Sequence, residues 1–133
     1  MKMNDTIRNL CRGGMRAAAK LLAASLAVFA MASMAFAHVF PQKQEPGAGA
    51  TVASPAQVRV IFDGPLEAAF SSLTVTDASG KQVNAQKAAV DEHQPALIAV
   101  PLPPLAAGRY TVHWVAVASD GHRTHGDYAF NVK

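Results

Sequence analysis

The sequence predicts an all-β sandwich, and three observations carry the prediction. From Val58 onward apolar and polar residues alternate in short runs, Gly and Pro punctuate those runs, and no segment of ten or more residues shows a helical stripe. Six or seven short strands in the roughly 96 residues that follow the N-terminal segment described below fit two packed sheets of immunoglobulin-like proportions. A small closed barrel is the alternative arrangement.

The strands follow in order. VRVIF (58–62) and SSLTVTD (71–77) are rich in β-branched residues, with Leu73 and Val75 on one face and Thr74 and Thr76 on the other. Ser79-Gly80 reads as a turn into a further strand over residues 81–86. ALIAVPLP gives another strand, ended by the Pro-rich PLPPLAAG. In GRYTVHWVAVAS, Tyr110, Val112, Trp114 and Ala116 face one way, while Thr111, His113, Val115 and Val117 face the other. Tyr128, Phe130 and Val132 repeat the alternation in GDYAFNVK. Trp114 is expected between the sheets, Phe40, Phe62 and Phe70 are expected to pack, and EPGAGA (45–50) is expected to form a turn between the first strands.

The N-terminal segment has the pattern of an export signal. Lys2, Arg8, Arg12, Arg16 and Lys20 stand against the single acid Asp5, an apolar run covers 21–34, and Ala35-Phe36-Ala37 supplies small residues at a cleavage position. The apolar run is shorter than the ~20 residues a membrane-spanning helix needs. Cleavage after Ala37 divides the chain into a signal over 1–37 and a domain over 38–133, with no membrane span left in the domain.

That cut would alter the bulk properties. Five of the 12 Lys and Arg leave with the signal and one of the 9 Asp and Glu, so seven basic and eight acidic residues stay and the net charge becomes −1. No basic cluster remains to neutralise phosphates, which removes support for nucleic-acid binding. The five Met and the one Cys all lie in 1–37, so the domain contains no sulfur. It can form no disulfide, and any metal it binds must be held by nitrogen and oxygen.

Cleavage would make His38 the first residue, where its α-amine and Nδ1 can close a six-membered chelate ring. The amine, with an ordinary pKa of ~7.7–8.0, gives up its proton to a divalent metal near neutral pH. SDGHRTHGD (119–127) adds Asp120 and His122, two residues apart and separated by a Gly that lets the backbone bend them together. Each feature alone has a plainer reading: a chance histidine at a cut site, and an Asp-Gly turn with a surface histidine beside it. His125 is either an extra ligand, a partner of a ligand, or an exposed loop residue. His113 either lines the site or is a half-exposed strand residue, and His93 is read as solvated. An amine, two imidazoles and a carboxylate without thiolate or thioether suit Cu(II), with Zn(II) and Ni(II) as competitors.

These residues resemble the CopC-like periplasmic copper-resistance proteins. The resemblance rests on His38, VRVIFDGPLEAAFSSLTVTDASGKQV, PLPPLAAGRYTVHW and VASDGHRTHGDYAFNV, and covers almost all of residues 38–133. It implies a seven-stranded Greek-key β-sandwich, immunoglobulin-like or cupredoxin-like, that binds one Cu(II) per mature chain in the periplasm. It further implies that His38, Asp120 and His122 are the metal ligands, that the protein is not an enzyme, and that a membrane copper transporter is a partner. The Met-rich Cu(I) site of some members has no counterpart here. Gly64, with Asp63 beside it, stands where an acidic residue often precedes the proline, and VFPQKQEPGAGA departs from the commoner family form. Two other classes of function remain open at this level: a copper monooxygenase with an N-terminal histidine brace, and a metal-free immunoglobulin-like interaction module.

Overall fold

The computed structural model describes residues 38–133, and the signal read over 1–37 lies outside the described residues. Eight strands are present: β1 Pro41–Glu45, β2 Thr51–Val52, β3 Gln57–Phe62, β4 Ser72–Thr76, β5 Ala89–Val90, β6 Leu97–Pro101, β7 Gly108–Val117 and β8 Arg123–Val132. They form two four-stranded sheets, β1-β3-β6-β5 and β2-β8-β7-β4. The strands thus separate into two layers and do not close into a barrel. All pairings are antiparallel except that of β2 with β8. Eight strands stand in place of the expected seven: β2 and β5, two residues each, add short edges to the sheets, and the strand expected over 81–86 is absent. Among the described residues no helix is long and apolar enough to cross a membrane.

The alternation in the sequence becomes the core. Val58, Val60 and Phe62 of β3 and Ile98 and Val100 of β6 face Leu73 and Val75 of β4, Val112, Trp114 and Ala116 of β7, and Phe130 of β8. Fully burying such a side chain contributes ~1.5–3 kcal/mol, the main stabilising source open to a domain without a disulfide. Phe62 and Trp114 meet edge to face with centroids 5.4 Å apart, and Tyr110 stacks on Phe130 at 5.7 Å. Trp114 is therefore core, 8% exposed, and it needs Gly126 opposite it: a Cβ there would lie 2.7 Å from the indole.

Three expectations are corrected. Residues 81–86 form no strand beyond a single bridge between Thr76 and Gln82. The reason is Asn84, buried here, whose Oδ1 accepts the Val75 amide at 2.9 Å and so takes a place that a strand backbone would fill. Phe40 and Phe70 are 55% and 70% exposed, and of the three phenylalanines expected to pack only Phe62 does so. His125 lies within β8, not in a loop, because that strand begins at Arg123.

Candidate metal centre

The β7–β8 hairpin positions Asp120 and His122. Its ladder runs to Val117 opposite Arg123, after which Ala118 N–H donates to the His122 carbonyl at 2.9 Å and Gly121 N–H to the Ala118 carbonyl at 2.9 Å. Three residues, Ser119 to Gly121, therefore turn the chain, and Gly121 adopts φ +85°, the left-handed conformation at the end of such loops. Behind the turn the strand end is fixed from the side: Ser71 Oγ accepts the Val117 amide at 3.1 Å, and Leu66 bridges to Ala118.

Within the turn, Asp120 holds His122 twice. Its Oδ1 accepts the His122 amide at 3.0 Å, and its Oδ2 lies 3.0 Å from His122 Nδ1. The backbone donor, reinforced by the ring, holds the Asp120 carboxyl below its ordinary range, so it stays an anion. Both side chains are about half exposed and accessible to a solute ion.

The other end of the chain arrives at the same place. Val39 is 5% exposed and belongs to the core, Thr124 Oγ1 donates to its carbonyl at 2.6 Å, and Phe40 exchanges two hydrogen bonds with Asp63: Phe40 N–H to Oδ1 at 2.8 Å and Asp63 N–H to the Phe40 carbonyl at 3.0 Å. Gly64 makes room for this anchor, since a Cβ there would come within 3.0 Å of Val39 Cγ1. His38, exposed and one residue upstream, consequently lies edge-on to His122 with ring centroids 5.3 Å apart. His38, Asp120 and His122 are thus neighbours, although no three His, Cys, Asp or Glu side chains among the described residues close on a single point.

The remaining histidines lie elsewhere. Thr124 and Gly126 face inward toward Val39 and Trp114, so the alternation of β8 turns His125 to the outer face. His113 occupies that same outer face, with Nδ1 2.7 Å from Asp127 Oδ1. His93 is exposed in a turn whose amides are held by Asp91. Sequence alone did not single out Thr124 or Val39, because one hydroxyl and one terminal valine produce no periodic signal.

Residues 42–133 match the CopC domain family. The chain belongs to the CopC family. It is 34% identical over 113 residues to copper resistance protein C of Escherichia coli, covering 80% of this chain and 90% of that protein. A 31% identical match to the copper transport protein CutJ of Bacillus subtilis covers 73% of this chain and 18% of that longer one. In structure, CopC from Methylosinus trichosporium OB3b matches with TM-score 0.68 and 36% identity over 72% of this chain and 94% of that chain. PcoC of E. coli, described as a methionine-rich copper resistance protein, matches with TM-score 0.62 and 34% identity over 73% of this chain and 100% of that chain. The described residues here contain no methionine, unlike the protein described as methionine-rich.

Proposed function

We propose that this chain is a non-catalytic periplasmic copper-binding protein that holds one Cu(II) through the α-amine and imidazole of His38, the carboxylate of Asp120 and the imidazole of His122. The observation that carries the reading is the approach of His38, tied down by Val39, to the Asp120–His122 turn at the far end of the sequence. Two imidazoles, an amine and an ionised carboxylate form an N/O set suited to tetragonal Cu(II), and the amine belongs to the backbone, so the side chains alone need not surround the ion. The names of the relatives, copper resistance protein C and copper transport protein CutJ, support copper as the cargo and a resistance role; they give no support to the oxidative-enzyme or metal-free alternatives.

Export and cutting after Ala37 belong to the same proposal, because the peptide bond to Ala37 withholds the amine. All of the solved E. coli PcoC chain aligns with 73% of this one, a share close to the 96 of 133 residues left when 37 are removed. The match to part of CutJ supports delivery to a membrane copper transporter, since a related domain is there joined to a protein named for transport.

The test is Cu(II) titration of protein beginning at His38 against the same protein with one extra N-terminal residue. The extension removes the amine from the chelate and leaves the imidazole. Affinity should fall by about tenfold or more, with a changed EPR spectrum; equal affinities would overturn the assignment.

A further inference from the structure

A second set of metal-ligating side chains lies on the outer face of the β7–β8 hairpin, where His113, His125 and Asp127 line one open depression of about 530 Å³. The register pairs His113 with Asp127 and Val115 with His125. His125 is therefore the diagonal neighbour of His113 and the next residue but one from Asp127 on the same face. Facing residues lie ~4.5–5.5 Å apart, diagonal ones ~7–8 Å, and alternate residues of one strand ~7 Å, a triangle that two imidazoles and a carboxylate can close above the sheet.

His113 is already oriented as metal-bound histidines are. One ring nitrogen, Nδ1, points at Asp127 Oδ1 at 2.7 Å, and the other, Nε2, meets Thr76 Oγ1 of β4 at 3.0 Å. A hydroxyl on the far nitrogen fixes the orientation of the ring and, being donor and acceptor, can serve either tautomer. In the metal-free chain a proton occupies the Nδ1–Oδ1 gap. A divalent ion bound by Nδ1 and Asp127 would require a neutral ring to carry its one proton on Nε2, where Thr76 Oγ1 can accept it, so the ring changes tautomer and Asp127 Oδ1 moves aside to share the ion.

We propose that His113, His125 and Asp127 form a second site for a borderline divalent cation, Cu(II) foremost, independent of His38. The exposed His125 ring shares the outer face with the other two, and the three side chains do not close on one point in the metal-free chain. Arg123 lines the same depression, and its positive charge opposes cation binding there.

The experiment uses protein extended by one residue before His38 and carrying His122→Ala, which disables the first ligand set. Titrated with Cu(II), it should still bind one equivalent, with NMR amide signals broadened around His113 and residues 125–127. Adding His125→Ala, an exposed position that leaves the fold intact by circular dichroism, should weaken that binding about tenfold or more. The proposal is overturned if no equivalent is retained, if His125→Ala leaves the affinity unchanged, or if the broadening centres on His93. Failure of the proposed His38, Asp120 and His122 site would instead appear as undiminished binding at the turn, with broadening around residues 119–122 that does not respond to His125→Ala.

Discussion

Two histidine–aspartate pairs occupy one hairpin, and they are built in different ways. His122 and Asp120 are two residues apart, joined by a left-handed Gly121 at the tip, and His38 comes to them from outside the hairpin. His113 and Asp127 are 14 residues apart and meet only because the β7–β8 register sets them opposite each other in the middle of the sheet. The tip pair depends on a turn and on an anchored chain end. The mid-sheet pair depends on ladder geometry and on Gly126, which lets Trp114 pack beneath it. Similar chemistry is thereby separated into two regions that can be perturbed one at a time.

The largest separation should come from Asp120→Ala. Removing a ligand carboxylate is expected to weaken the proposed Cu(II) site at least as much as the loss of an outer partner, by about a hundredfold, while His113 and Asp127 remain bonded; calorimetric titration measures the first effect and NMR the second. Gly126→Ala should act the opposite way. Its Cβ meets the Trp114 indole at 2.7 Å, so stability should fall by about 1–3 kcal/mol, read from urea unfolding, with copper affinity at the tip changed less than about threefold. Gly64→Ala returns to the tip by an indirect route: it pushes on Val39 Cγ1 at 3.0 Å, costs about 1 kcal/mol, and should lower Cu(II) affinity although Gly64 is no ligand.

The smallest effect concerns protons. Asp120 has its pKa lowered in the folded chain, chiefly by the His122 amide, so its ionised form favours the native state above the ordinary aspartate range and that contribution is lost only as pH falls through the lowered value. Between pH 5 and 7 Asp120 should remain ionised, so its carboxylate is not what would release copper on acidification in that window. Carboxyl NMR should place the Asp120 midpoint below the usual 3.8; a midpoint above it would show that the turn does not hold its carboxylate as described.

Much of this was legible in the chain itself, for reasons that are local. Alternation marked β3, β4, β7 and much of β8 because each has one face on the core, and it assigned Trp114 to the interior, while a short apolar run before the Pro-rich stretch marked β6. The tip pair was legible because Asp120, Gly121 and His122 are contiguous. What escaped depended on partners distant in sequence. Asn84 supplanted a strand by reaching Val75, Phe40 lay outward while its neighbour Val39 was buried, and the place of His125 followed from where β8 begins, not from its flanking residues. The mid-sheet pair needed the register, and no short motif contains it.

Val39 is the first residue from the N-terminus, among those described, to enter the core, and His38 before it is exposed. Among the described residues, packing therefore begins at Val39. At the proposed site copper would sense the new chain end, and cargo loading would report that a particular peptide bond had been cut.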